Sequence, residues 1–155
     1  FYFEGAGREP DIVVAGKALA GGLPGAVVSA DAVIDTRARA VGWRSTHTDH
    51  PLIAAAIGAA IGEFERRDPA ARVAAFGDIV ETTIPSAVRR GRAAMWCIEW
   101  PDESSTAAAF SMLLENRVVV SFSGRYVRLL PSLVMKPSAL ADVCRTIARV
   151  HDRTT

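Results

Sequence analysis

The sequence predicts an α/β protein in two lobes, and three observations predict it. Short β-branched apolar runs recur at Asp11–Ala15, Ala93–Trp100, Val118–Phe122 and Tyr126–Leu130, too brief for helices and suited to buried strands. Ala-rich or amphipathic stretches stand between and after them, long enough to be helices. The pair Asp68-Pro69 breaks the longest helical stretch, which puts the boundary between lobes 1–67 and 68–155.

In the first lobe, Asp11-Ile12-Val13-Val14-Ala15 follows Pro10 and reads as a buried, parallel strand. Gly16 to Gly25 is a glycine-rich turn that carries Lys17. Ala26 to Ser29 resumes a short strand, Ala30 to Thr36 gives a weak helical turn, and Arg37 to Asp49 has no clear period and is expected to be loop. Pro51 suits the first position of a helix, where its missing N–H costs nothing, and Leu52 to Arg67 continues as a long helix with a solvated, charged tail.

The second lobe reads as a regular alternation. Asp68-Pro69 caps a helix over Ala70 to Ser86, disturbed at Gly77 and Pro85. Ala93 to Trp100 is a strand, and Ser104 to Glu115 is a helix capped by Ser104 or Ser105. Val118 to Phe122 and Tyr126 to Leu130 are strands around a Ser123-Gly124 turn. Ser138 to His151 closes the chain as an amphipathic helix with Leu140, Val143, Ile147 and Val150 on its core face.

Composition excludes several classes. The net charge of +1 provides no field to draw the chain to nucleic acid or an anionic membrane. Apolar runs are interrupted within about ten residues, short of the ~20 needed to cross a bilayer. Cys97 and Cys144 are isolated thiols, which fits a reducing cytoplasm better than a disulfide framework. His47 and His50 with Asp49 offer ligand types but no third cluster, so no metal is expected.

One residue type is scarce. Of the 18 Lys and Arg residues only Lys17 and Lys136 are Lys, and Arg cannot stand in where an amine must lose its proton and attack a carbonyl. Lys17 sits one residue past the apolar Asp11–Ala15 run and ahead of Gly21-Gly22. A strand end holds the amine in place, small neighbours leave room for a flat group, and glycines let the backbone approach it. Apolar surroundings would favour the neutral, nucleophilic amine. The plain alternative is a surface lysine at a strand end. A nucleotide phosphate loop does not fit, because Asp11 and Ala18 stand where its first Gly and its Ser/Thr belong.

The run Glu9-Pro10-Asp11-Ile12-Val13-Val14-Ala15-Gly16-Lys17-Ala18-Leu19-Ala20-Gly21-Gly22-Leu23-Pro24 resembles the segment of class III, ω-type aminotransferases that carries the pyridoxal-phosphate (PLP) lysine. Phe1-Tyr2-Phe3-Glu4 is similar to the aromatic stretch before it. The resemblance implies that Lys17 forms the Schiff base with PLP and moves the proton during transamination. Trp43-Arg44-Ser45-Thr46-His47-Thr48-Asp49-His50-Pro51-Leu52 is similar to the stretch whose Ser/Thr pair precedes a helix, so Ser45 and Thr46 would bind the PLP phosphate, Thr46 across a dimer interface. A hydroxyl and loop amides ahead of a helix suit an anion, although His47, Thr48 and Asp49 depart from the aromatic-glycine-glycine of the family. Gly124-Arg125-Tyr126-Val127-Arg128-Leu129-Leu130-Pro131 resembles the C-terminal signature whose Arg, in many members, meets a substrate carboxylate or pairs with a gating glutamate, which makes Arg128 the substrate-binding candidate. Its plain alternative is a structural ion pair. Arg90 to Glu99 resembles the first strand of the small domain, for which core packing suffices.

The resemblance thus implies the C-terminal portion of a PLP-dependent fold type I aminotransferase, the end of the large PLP-binding domain (1–67) plus the small α/β domain (68–155). It covers nearly the whole chain but only the later portion of a family member. The aspartate for the pyridine nitrogen, the ring-stacking aromatic and a phosphate loop would lie before Phe1. The chain is therefore expected to act with a complementary N-terminal chain or segment, dimerised, on a small-molecule amino donor and carbonyl acceptor. It could be a piece of a longer chain, one subunit of a split enzyme, or a non-catalytic assembly subunit that keeps the fold. An aminomutase, decarboxylase or racemase would share the lysine chemistry.

Overall fold

The computed structural model describes residues 2–42 and 50–155, which divide into two compact units meeting at Arg67 and Asp68. In the first unit, a 3-10 turn over Tyr2–Ala6 leads into strand β1, Ile12–Ala15. A second 3-10 turn, Lys17–Ala20, reverses the chain toward strand β2, Val27–Ala30. The two strands pair antiparallel, Ile12 opposite Ala30 and Ala15 opposite Val27. This corrects the expectation of a parallel strand: the eleven residues between Ala15 and Val27 are too few for a crossover, which takes a dozen residues or more. Among the described residues β1 is not buried either. Val14 is 70% exposed and Val28 67%, because the ribbon has two apolar faces.

The next segment is more regular than its weak pattern predicts. Helix α1 runs Ala32–Val41, through part of the expected loop. Asp31 nucleates it by accepting hydrogen bonds from the backbone N–H groups of Val33 at 2.8 Å and Ile34 at 2.9 Å. Gly42, at φ +69°, stops it. Helix α2, Pro51–Arg66, starts on His50, whose ring nitrogen accepts from Leu52 N–H at 3.3 Å. Ile53, Ala56, Ile57, Ala60 and Glu63 form its half-buried stripe at helical spacing.

The second unit is a two-layer α/β sandwich. Helix α3, Pro69–Thr83, is capped by Asp68 through Ala71 N–H at 3.2 Å and passes straight through Gly77, ending ahead of Pro85. Gly77 lies on the backbone of Ala93, close enough that a Cβ would touch Ala93 Cα at 3.4 Å. The expected strand 93–100 is instead a hairpin: β3, Arg89–Arg92, turns at Ala93-Ala94 into β4, Met95–Glu99. Ala93 takes φ +56° there, which its small side chain tolerates at some cost and its sequence did not advertise.

Helix α4, Glu103–Glu115, is capped by Asp102 rather than by a serine; the carboxylate accepts from Ser105 N–H at 2.7 Å. Strand β5 is only Ser121–Ser123, shorter than expected, and pairs with β6, Tyr126–Leu129. Helix α5, Pro137–Thr154, completes the unit. Sheet order is β3-β4-β6-β5, antiparallel throughout. Trp96, Ile98, Val127 and Leu129 face the helices and form one core with Phe76, Val80, Leu113, Leu140, Cys144, Ile147 and Val150. Strand periodicity then obliges Cys97, Glu99, Tyr126 and Arg128 to line the opposite, open face. Among the described residues no helix is long and apolar enough to cross a membrane.

Candidate functional site

Lys17 occupies the corner between β1 and the 3-10 turn it opens. Its backbone has φ +56°, the left-handed region that costs a residue with a Cβ on the order of 1–2 kcal/mol. Two successive hydrogen bonds hold the turn that follows, Leu19 N–H to the Gly16 carbonyl at 3.2 Å and Gly21 N–H to the Ala18 carbonyl at 3.0 Å. Gly21 and Gly22 continue with φ +62° and +100°, conformations that only glycine adopts freely. Ala20 is buried beneath them.

Gly25 anchors this corner. A Cβ there would stand 2.6 Å from Ile53 Cγ2 and 2.9 Å from Ala20 Cβ, so the turn rests directly on α2. The result is a lysine on a fixed backbone with its side chain exposed, flanked by Ala15, Gly16, Ala18 and the glycine pair. The apolar enclosure expected around it is not supplied by the described residues. Lys17 makes no hydrogen bond or ion pair among them.

Arg128 lies in the second unit, on the open face of the sheet. Cross-strand register puts it between Cys97 of β4 and Ser121 of β5, with Arg90 of β3 beyond Cys97. Its guanidinium is exposed and makes no hydrogen bond or ion pair among the described residues, so the structural ion pair considered above is not formed there. Arg89, one residue from Arg90, faces the core side, donates to the carbonyl of Ile84 and lies 5.8 Å over the Trp96 ring. Ser45 and Thr46 lie outside the described residues.

A group that sequence reasoning passed over is Glu99. Its carboxylate accepts from Arg125 Nη2 at 2.8 Å and lies 3.4 Å from Arg90 Nη2. Once β4 and β6 are paired in register, alternation along the two strands puts this carboxylate on the face of Arg128; no linear spacing does so.

The whole of residues 1–150 matches the Aminotransferase class-III family model. This chain belongs to the class III aminotransferase family. Residues 1–150 of the aminotransferase match include Lys17, Ser45, Thr46 and Arg128. It is 29% identical, over 96% of its length, to a diaminobutyrate–2-oxoglutarate transaminase of Streptomyces anulatus, of which it spans 38%. Its fold superposes with a TM-score of 0.85 and 19% identity on an omega transaminase of Pseudomonas jessenii in complex with PMP, covering 100% of this chain and 40% of that one. A phospholyase from Arthrobacter in complex with phosphoethanolamine is as similar, with a TM-score of 0.85, 20% identity and coverage of 97% and 40%. The fold is that of the C-terminal portion of a fold type I aminotransferase. At such identities the structural likeness speaks for the fold alone, and a phospholyase among the neighbours illustrates that one fold carries more than one reaction.

Proposed function

We propose that this chain supplies the Schiff-base lysine of a PLP-dependent aminotransferase and works with a complementary N-terminal chain or segment. The observation that carries the reading is Lys17 itself: an exposed primary amine with no partner among the described residues, on a strained backbone at a strand end, framed by alanines and glycines. Strain of this kind persists where the surrounding fold over-determines it, and it collects at functional sites. The residues present fit PLP at its aldehyde end, since the amine is exposed and its chain neighbours Gly16 and Ala18 are small.

Bound there, PLP supplies an aldehyde for the amine and a ring that accepts electrons released at the substrate Cα. Lys17 Nζ holds and moves the proton. Gly21 and Gly22 let the backbone approach closely. Ser45 and Thr46 hold the phosphate, Thr46 from the neighbouring subunit of a dimer, and Arg128 binds a carboxylate of the amino donor or the carbonyl acceptor. Residues 1–67 then belong to the large PLP-binding domain and 68–155 to the small domain.

The exposed ribbon supports the need for a companion. Val14 and Val28 stand on opposing strands as cross-strand partners, 70% and 67% exposed, and a two-stranded hairpin is marginal without further cover. The chain spans 38% of its transaminase relative, which leaves ample length for such a companion.

The test is covalent trapping. The chain is incubated with PLP, alone and with the complementary segment of a class III aminotransferase, then reduced with borohydride and mapped by mass spectrometry. A pyridoxyl group on Lys17 and not on Lys136, increased by the companion, is the expected result. Equal labelling of both lysines, or none on Lys17 with the companion present, would overturn the proposal.

A further inference from the structure

On the four strands of the second unit the only acidic residue is Glu99. It pairs in register with Tyr126, so Arg128 is its diagonal neighbour two residues along β6 on the same open face. Diagonal positions lie ~7–8 Å apart, within reach of a glutamate and an arginine. Backbone register alone thus allows this carboxylate to reach the Arg128 guanidinium.

It is taken by two other arginines. Arg125 Nη2 donates to Oε1 at 2.8 Å, and Arg90 Nη2 lies 3.4 Å from Oε2, so each carboxylate oxygen has a partner. Both arginines are themselves tied to backbone. Arg90 Nη1 donates to the carbonyls of Ala87 and Arg89, each at 2.9 Å, and Arg125 Nη1 to that of Pro101 at 3.3 Å. Fixed donors hold a carboxylate better than free ones, because less side-chain freedom is lost on pairing.

We propose that Arg90 and Arg125 are positioning residues that hold Glu99 away from Arg128, keeping the Arg128 guanidinium open for a carboxylate of the substrate. The inference rests on the reading of Arg128 as the carboxylate-binding residue. Cys97 and Ser121, which flank Arg128 in the same row, carry small uncharged side chains that add no competing anion.

The experiment follows the Arg128 Nε–Hε resonance by NMR in the full chain, with succinate as the carboxylate probe. In the Arg90→Ala/Arg125→Ala double variant, the signal should move before any succinate is added, and succinate binding should weaken roughly threefold, the scale of one exposed ion pair. Adding Glu99→Gln to the double variant should return both to the wild-type values; a merely structural role for the arginines would not be rescued in this way. An Arg128 signal unchanged in the double variant overturns the positioning role. A wild-type Arg128 signal that ignores succinate, while still moving in the double variant, overturns instead the carboxylate reading of Arg128.

Discussion

Gly91 and Met95 approach so closely across the β3–β4 hairpin that a Cβ on Gly91 would stand 2.1 Å from the Met95 carbonyl oxygen. The hairpin therefore depends on a residue without a side chain, and Gly91 also takes φ +140°. Gly91→Ala should cost more than about 3 kcal/mol in urea unfolding, since backbone must shift to relieve the overlap. Gly124→Ala is the control. That glycine has φ +54° but open space around it, so only the backbone penalty of about 1 kcal/mol applies. Equal losses for the two variants would contradict the hairpin geometry.

Lys17 holds its left-handed backbone at the expense of stability. Lys17→Gly should consequently unfold at higher denaturant than Lys17→Ala, by about 1 kcal/mol, because glycine escapes the Cβ clash that alanine keeps. Both variants should lose the borohydride-trapped adduct at this position. An alanine variant as stable as the glycine one would mean the turn is not strained at residue 17.

The two cysteines should differ in reactivity. Burial pushes the Cys144 thiol up to about 11, and Cys97 sits half-buried on the open face of the sheet. At mildly alkaline pH a thiol reagent should modify Cys97 in the folded chain and Cys144 only on unfolding, because the thiolate is the reactive form. Mass spectrometry of the quenched products checks this; Cys144 modified first would show that α5 opens from the core.

Asp102 makes part of the stability pH-dependent. The backbone N–H of Ser105, then its side chain, holds the Asp102 carboxyl below its ordinary value of 3.8. The folded chain thus binds this proton less readily than the unfolded one, so the stabilisation is present above that ordinary value and is lost as pH falls through the lower folded value. In thermal unfolding, wild type should lose its advantage over Asp102→Ala across that acid range. A difference between the two that stays constant with acid would exclude the carboxylate as the working form of the cap.

Much of the local architecture was legible. Asp68-Pro69, His50-Pro51 and the periodic apolar positions of α5 are short-range signals, and the helices they announce are present. What was misread has a common cause. The direction of β1, the turn at Ala93-Ala94 and the brevity of β5 depend on which strand lies alongside, and pairing partners leave no trace in a linear period. The Asp102 cap was missed because the helix begins one residue earlier than the serines suggest.

By itself the sequence determined that Lys17 follows an apolar strand and opens a glycine turn, because strand, turn and glycine preferences act over a few residues. It also determined the family resemblance, which lies in the order and spacing of those same motifs. Only the tertiary structure decided that Arg128 is exposed on the open sheet face and that Glu99 is held by Arg90 and Arg125. Those relationships join residues far apart along the chain, and cross-strand hydrogen bonding alone sets which of them meet.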